Sequence, residues 1–238
     1  MSPAHPAFDF EQARFNMIEQ QIRPWEVLDA RVLQLLGELK REDFAPAAYR
    51  ALALADVEIP LCRPAVEGAC MLAPKIEARA LQDLALQDTD SVLEIGTGSG
   101  YMAALLSRLS ARVLSLEIDP ALAEQARRNL SAAGIDNVEV RCADAAAQRC
   151  AACGSNAPYD AIVLSGSVAE VPADLLDLLK IGGRLFAIVG QEPIMRATLV
   201  RRTGPASYYT EQPWDIVAPR LRGFPEACLL YTSDAADE

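Results

Sequence analysis

The segment Val92-Leu93-Glu94-Ile95-Gly96-Thr97-Gly98-Ser99-Gly100-Tyr101 constrains the fold more than any other: an apolar run enters a glycine loop that opens a helix, with an acid two residues before the first glycine. A strand-to-helix turn beneath a nucleotide needs positive backbone dihedrals and close approach of main chain to ligand, and side chains would block both. Spacing then selects the ligand. A dinucleotide fingerprint reads G-x-G-x-x-G, whereas here the pattern is G-x-G-x-G and the sixth position is the bulky Tyr101. NAD is disfavoured, and the pattern has the look of an S-adenosylmethionine (SAM) site. The loop alone is also what a tight turn needs, so its surroundings must decide.

Those surroundings form a βαβ unit in outline. Arg112-Val113-Leu114-Ser115-Leu116-Glu117 reads as a second buried strand ending in an acid, close to the ~20-residue offset at which a carboxylate meets ribose hydroxyls in doubly wound sheets. Glu117 is therefore the expected ribose ligand. Asp119 and Pro120 follow as helix N-cap and first helical residue; Leu122, Ala126 and Leu130 share a face, and Gly134 closes the helix. A third strand, residues 138–142, leads to Asp144, which a sheet of this kind would present to an adenine; the plainer alternative is an ordinary helix N-cap.

At 238 residues the chain can bury one large α/β core. No apolar run reaches membrane-spanning length, and the start, Met1-Ser2-Pro3-Ala4-His5-Pro6, lacks a basic segment followed by an apolar one, so a soluble, cytoplasmic protein is expected, with no membrane partner. A net charge of −11 argues against nucleic acid as partner, because neutralising phosphates takes clustered Lys and Arg. Among six cysteines, Cys150-Ala-Ala-Cys153 has redox or half-zinc spacing, but no second pair follows and the single histidine is His5. Reduced thiols and no bound metal are expected. One terminal histidine also excludes Ser-His, Cys-His and histidine acid/base schemes unless that end reaches the site. Methyl transfer from a sulfonium to a carboxylate needs none, since donor and acceptor are already activated and the enzyme's task is alignment and exclusion of water.

Residues 8–54 read as amphipathic helices, with Phe15, Ile18 and Ile22 on one face and Leu28, Val32, Leu35, Leu36 and Leu39 on another. Residues 55–72 form a loop or short hairpin, and Pro74 opens a helix burying Ile76, Ala80 and Leu84. The sheet runs from Ser91; its fourth strand is 159–164, then comes a helix near 173–179, a Gly182-Gly183 turn and a fifth strand, 184–189. Runs 197–201 and 208–211 suggest an antiparallel hairpin at the sheet edge.

Three stretches carry a family resemblance: Asp29-Ala30-Arg31-Val32-Leu33 with Arg41-Glu42-Asp43-Phe44-Ala45-Pro46; the glycine loop with its strand; and Tyr159-Asp160-Ala161-Ile162 through Val171-Pro172-Ala173-Asp174-Leu175 to Gly182-Gly183-Arg184-Leu185. Over roughly residues 15–203 the chain resembles the protein-L-isoaspartate O-methyltransferase family. The resemblance implies a doubly wound, mostly parallel Rossmann-like sheet with an N-terminal helical subdomain and substrate loop (1–72), a methyltransferase domain (73–227) and a C-terminal antiparallel hairpin. It implies SAM-dependent methylation of isoaspartyl carboxylates in damaged proteins or peptides, the first step of their repair. By that resemblance Glu94, Gly96, Thr97, Gly98, Ser99 and Gly100 hold the methionine end of SAM, Glu117 the ribose and Asp144 the adenine, with Ile118 and Ala145 also on the cofactor. Met71, Leu72, Pro74, Ser165, Gly166, Ser167 and Val168 fall on the acceptor side.

The chain departs from the family where the acceptor binds. The position of the family's carboxylate-contacting serine, two before a proline, is Leu72; the glycine after the adenine acid is Ala145; and residues 165–170 lack the usual Ala-rich, proline-ended run. Losing one charge-assisted hydrogen bond is worth on the order of 1.5–3 kcal/mol. Isoaspartyl methylation, methylation of a small-molecule acceptor such as a small carboxylate, and SAM binding without turnover thus remain as alternatives; for isoaspartyl methylation, main-chain amides near Met71, Leu72 and 165–168 are expected to replace the hydroxyl. The last stretch, 228–238, resembles a translated sequencing adapter and is expected to be a loose, non-native tail.

Overall fold

A computed structural model describes residues 8–147, 153 and 156–225. His5, Cys150, Cys228 and the 228–238 tail lie outside the described residues.

The N-terminal layer begins with α1 (Phe10–Met17), capped by Asp9, and runs directly into a π turn, Ile18–Ile22. Helix α2 (Ala30–Glu38) is capped by Asp29, whose carboxylate accepts from the amides of Arg31 and Val32. Two apolar positions depart from the helical pattern. Met17 and Ile22 are buried five residues apart, the spacing of a π turn, and Phe15 is rotated out to 60% exposure. Leu28 precedes the Asp29 cap, so it belongs to no helical face and stands in solvent.

Strands β1 (Ile59–Pro60) and β2 (Cys70–Met71) make the expected small hairpin, and α3 (Pro74–Leu84) buries Ile76, Ala80 and Leu84. The main sheet follows: β3 (Ser91–Ile95), α4 (Tyr101–Ser107), β4 (Arg112–Glu117), α5 (Pro120–Ala132), β5 (Val138–Cys142), β6 (Tyr159–Val168), α6 (Ala173–Asp177), β7 (Leu179–Gln191), β8 (Ile194–Gly204) and β9 (Ser207–Asp215). Its order is β5-β4-β3-β6-β7-β8-β9, parallel from β5 to β7 and closed on one side by the antiparallel β8–β9 hairpin. Alternation along the strands splits the core. Val92, Val113, Ala161 and Phe186 face α2, α3 and α4, while Leu93, Leu114, Ile162 and Leu185 face α6 and the segment after β5.

Two boundaries differ from the sequence reading. Strand β6 does not stop at Leu164 but continues through Val168, and Gly182-Gly183 is no turn between elements but a bulge inside β7, where Tyr159 pairs with Leu179 and Ala161 next with Arg184. A Cβ at Gly183 would lie 2.9 Å from the Lys180 carbonyl and 3.0 Å from that of Tyr159, so only glycine lets the bulge close. The outer strands are short or polar: β5 carries the Glu139–Arg141 pair, and β9 is mostly exposed and contains Glu211, Pro213 and Asp215.

Candidate active site

The parallel strands end on one edge, and the order reverses on either side of β3, where an open α/β sheet offers its crevice. There Gly96, Gly98 and Gly100 all have positive φ (+96°, +52° and +85°). Each glycine has its own neighbour: a Cβ would stand 2.6 Å from Leu221 at Gly96, 3.2 Å from Leu61 at Gly98 and 3.3 Å from Ala126 at Gly100. The loop is tied down by Gly96 N–H donating to Leu116 O and by Asn129 Nδ2 donating to Ser99 O, both at 2.9 Å.

Glu117, at the end of β4, lies across this loop. Its Oε2 accepts from the Gly98 amide (2.8 Å) and its Oε1 from the Asp119 amide (3.0 Å). Asp119 caps α5 as expected. Asp144 follows β5 and accepts from the amides of Ala146 (2.9 Å) and Ala147 (3.1 Å), which is the capping role. Ile118 and Ala145 line the cleft beside them, with Gly96, Gly98, Ser165 and Cys70.

Other residues of the predicted set turn inward. Glu94 is fully buried; its Oε1 accepts from Ser165 Oγ (2.8 Å) and its Oε2 from Ser115 Oγ (2.6 Å), because Ser115 is its register partner on β4. Desolvation dominates, and the Glu94 carboxyl is pushed up to about 8. Thr97 Oγ1 shares a hydrogen bond with Ser115 Oγ at 2.5 Å, and Ser99 Oγ accepts from the Tyr101 amide. Of the predicted acceptor residues only Ser165 lines the cleft. Met71, Leu72, Pro74, Gly166, Ser167 and Val168 are buried. The Ser167 amide, expected to be free for an acceptor, donates to Pro219 O at 2.8 Å, since β6 continues and gains a neighbour there.

Two features escaped the sequence reading. Behind the substrate loop, Arg41 is completely buried, bonded to Glu77, Leu72 O and Ala53 O, with its guanidinium 5.0 Å from the Tyr101 ring centre. Burial holds Glu77 above the usual carboxylate range despite Arg41. Burial, with the charges of Glu58 and Glu77, pushes the Cys70 thiol up to about 12, so it is no nucleophile at neutral pH. The second feature is the segment 218–224, which crosses the cleft from β6 to Glu117. Gly166 signals it, since a glycine inside a strand marks a close approach and a Cβ there would meet Leu221 at 2.8 Å.

The sequence model of protein-L-isoaspartate(D-aspartate) O-methyltransferase matches residues 12–214. A protein-L-isoaspartate O-methyltransferase of Methanoculleus marisnigri is 40% identical over 80% of this chain and 84% of its own length. The chain belongs to the protein-L-isoaspartate(D-aspartate) O-methyltransferase family. A second O-methyltransferase of that name, from Syntrophobacter fumaroxidans, is 36% identical over 83% of this chain and 88% of its own. The family's fold is also found here: a Plasmodium falciparum crystal structure described as a protein-L-isoaspartate O-methyltransferase in complex with S-adenosyl-L-homocysteine superposes with a TM-score of 0.75, covering 91% of this chain and 99% of that one at 17% identity. The family match reaches from α1 into β9, so the N-terminal helices, the sheet and most of the edge hairpin fall within it.

Proposed function

We propose that this chain is a SAM-dependent protein-L-isoaspartate O-methyltransferase acting in the cytoplasm on damaged proteins and peptides. The observation that carries this reading is the glycine turn between β3 and α4 with the Glu117 carboxylate bonded across it, on the edge where the parallel strands end. Such a turn presents main-chain amides without side chains, and a carboxylate at the next strand end suits ribose hydroxyls.

The residues fit the cofactor in chemistry: Glu117 would hold the ribose, Ile118 and Ala145 would flank the adenine, and the 96–100 loop would carry the methionine end. When bound, SAM supplies an activated methyl group. The protein's part is alignment and drying. Ile118, Leu122 and Leu221 exclude water from the cleft, while the one side-chain hydroxyl lining it, on Ser165, already donates its proton to Glu94. Leu72 cannot donate either, which leaves main-chain amides of the 70–72 loop to orient an acceptor carboxylate.

The test is turnover of methyl-labelled SAM with an isoaspartyl peptide against its aspartyl twin. Transfer to the isoaspartyl peptide alone supports the reading. Tight SAM binding with no transfer to either peptide would replace it with a different acceptor or a non-catalytic role.

A further inference from the structure

The segment 218–224 is held unevenly. Its first half is pinned to β6: Pro219 O accepts from Ser167 N (2.8 Å), Ser167 O accepts from Leu221 N (2.9 Å), and Ala218 O accepts from Ser167 Oγ (2.8 Å). Arg220 Nη2 adds a bond to Gly190 O at 3.0 Å. Beyond Leu221, no main-chain hydrogen bond holds residues 222–225 among the described residues. What fixes them is the Arg222 guanidinium, 3.7 Å from Glu117 Oε1 and 3.6 Å from Asp119 Oδ2, longer than hydrogen bonds and a third exposed, and Phe224 packed under the cleft. Gly223, at φ +87°, turns the chain past Asp144, where a Cβ would stand 3.0 Å from Oδ1.

This arrangement leaves a cleft of about 40 Å³ between Gly96, Glu117, Ile118, Ala145 and the strap. Ligand pockets have volumes of roughly 300–1,000 Å³. The donors suit a nucleoside and the space does not, because Leu221 and Arg222 fill it. We propose that residues 222–224 are a lid that the cofactor displaces, hinged at Leu221 where the β6 bonds end and latched by Arg222 on the same carboxylate that would take the ribose. The inference rests on the reading of the cleft as a SAM site. Cofactor and Arg222 compete for Glu117, so the apparent affinity is the intrinsic one reduced by the fraction of molecules with the lid open.

The experiment uses the full chain, wild type and the Arg222→Ala and Arg222→Lys variants, with S-adenosylhomocysteine binding followed by calorimetry and stopped flow. An ion pair this long, with its cation a third exposed, is weak, so Arg222→Ala is expected to speed association and tighten binding by about two- to fivefold, with dissociation little changed and Arg222→Lys near wild type. Raising the ionic strength should bring wild type toward Arg222→Ala and leave that variant unmoved. Binding by the wild type with weaker or unchanged affinity in Arg222→Ala would overturn the lid, making Arg222 a ligand contact or a bystander. No binding by any of the three proteins would overturn the cofactor reading beneath it.

Discussion

Replacing Glu94 by Gln tests whether the acid beside the glycine loop is a charge or a neutral strut. Glu94 is fully buried with two serine hydroxyls for neighbours and, among the described residues, no basic group bonded to it; burial pushes its carboxyl up to about 8 in the folded chain against 4.5 for the free side chain. An acid raised by folding contributes stability that is fully present below its unfolded value and is lost as pH rises through the folded one. Each unit between the two amounts to about 1.4 kcal/mol, so the wild type should lose up to ~4–5 kcal/mol from this group between pH 4.5 and 8. Glutamine has nearly the same shape, is neutral throughout, and can pair with both Ser115 and Ser165. Urea unfolding at pH 5, 6.5 and 8 should therefore show the two proteins close at pH 5 and the Gln variant more stable by about 2–4 kcal/mol at pH 8. In a chain of this length that is a shift of roughly 4–16 °C in Tm. S-adenosylhomocysteine affinity should change less than about threefold, below 1 kcal/mol. Parallel pH profiles, or a Gln variant that is the less stable at pH 8, would show an ionised Glu94 held by its serines and refute the argument.

Gly98→Val should weaken S-adenosylhomocysteine binding at least tenfold by calorimetry, because valine at φ +52° pushes on Leu61 and distorts the turn. Glu117→Ala should do the same by removing the ribose acceptor and the brace on Gly98. Leu72→Ser should raise kcat/KM on an isoaspartyl peptide by about tenfold for each ~1.4 kcal/mol of transition-state stabilisation regained. It should lower unfolding stability at the same time, since Leu72 is only 8% exposed. Arg41→Ala leaves Glu77 buried without its cation and should cost about 3–5 kcal/mol in chemical denaturation, a large share of the ~5–15 kcal/mol that holds such a domain. A loss below ~1 kcal/mol would mean water reaches that network.

The elements readable from sequence are those whose signal is local. The glycine spacing, the Asp119-Pro120 cap and the apolar runs of β3 and β4 state their own geometry, and the structure follows them. The Gly98–Glu117 bond could be anticipated because a strand-end acid about twenty residues on is part of the same local unit. What was not legible depends on distant partners. Ser165-Gly166-Ser167 has low intrinsic strand preference and reads as loop; it is strand because β7 pairs with it on one side, Ser167 opposite Ile188, and segment 218–221 bonds Ser167 on the other. Phe15 and Leu28 obey helical spacing, but a π turn and a cap shift the frame in which that spacing counts. Nothing near Arg41 announces that Leu72, fully thirty-one residues away, would give it a carbonyl.

The two outer strands bear on how this protein survives at high concentration. A seven-stranded sheet ends in two rows of main-chain donors and acceptors, and such rows recruit strands from other molecules unless something spoils the template. On β9 the spoilers are built in: Pro213 has no N–H to offer, Glu211 and Asp215 place negative charge along the rim, and the register slips between the Ala197 and Leu199 pairs. On β5 the strand is only five residues long and carries the Glu139–Arg141 pair. With a net charge of −11 the molecules also repel one another. For a protein whose proposed substrates are damaged chains, both rims are thereby poor templates for the strands those chains expose.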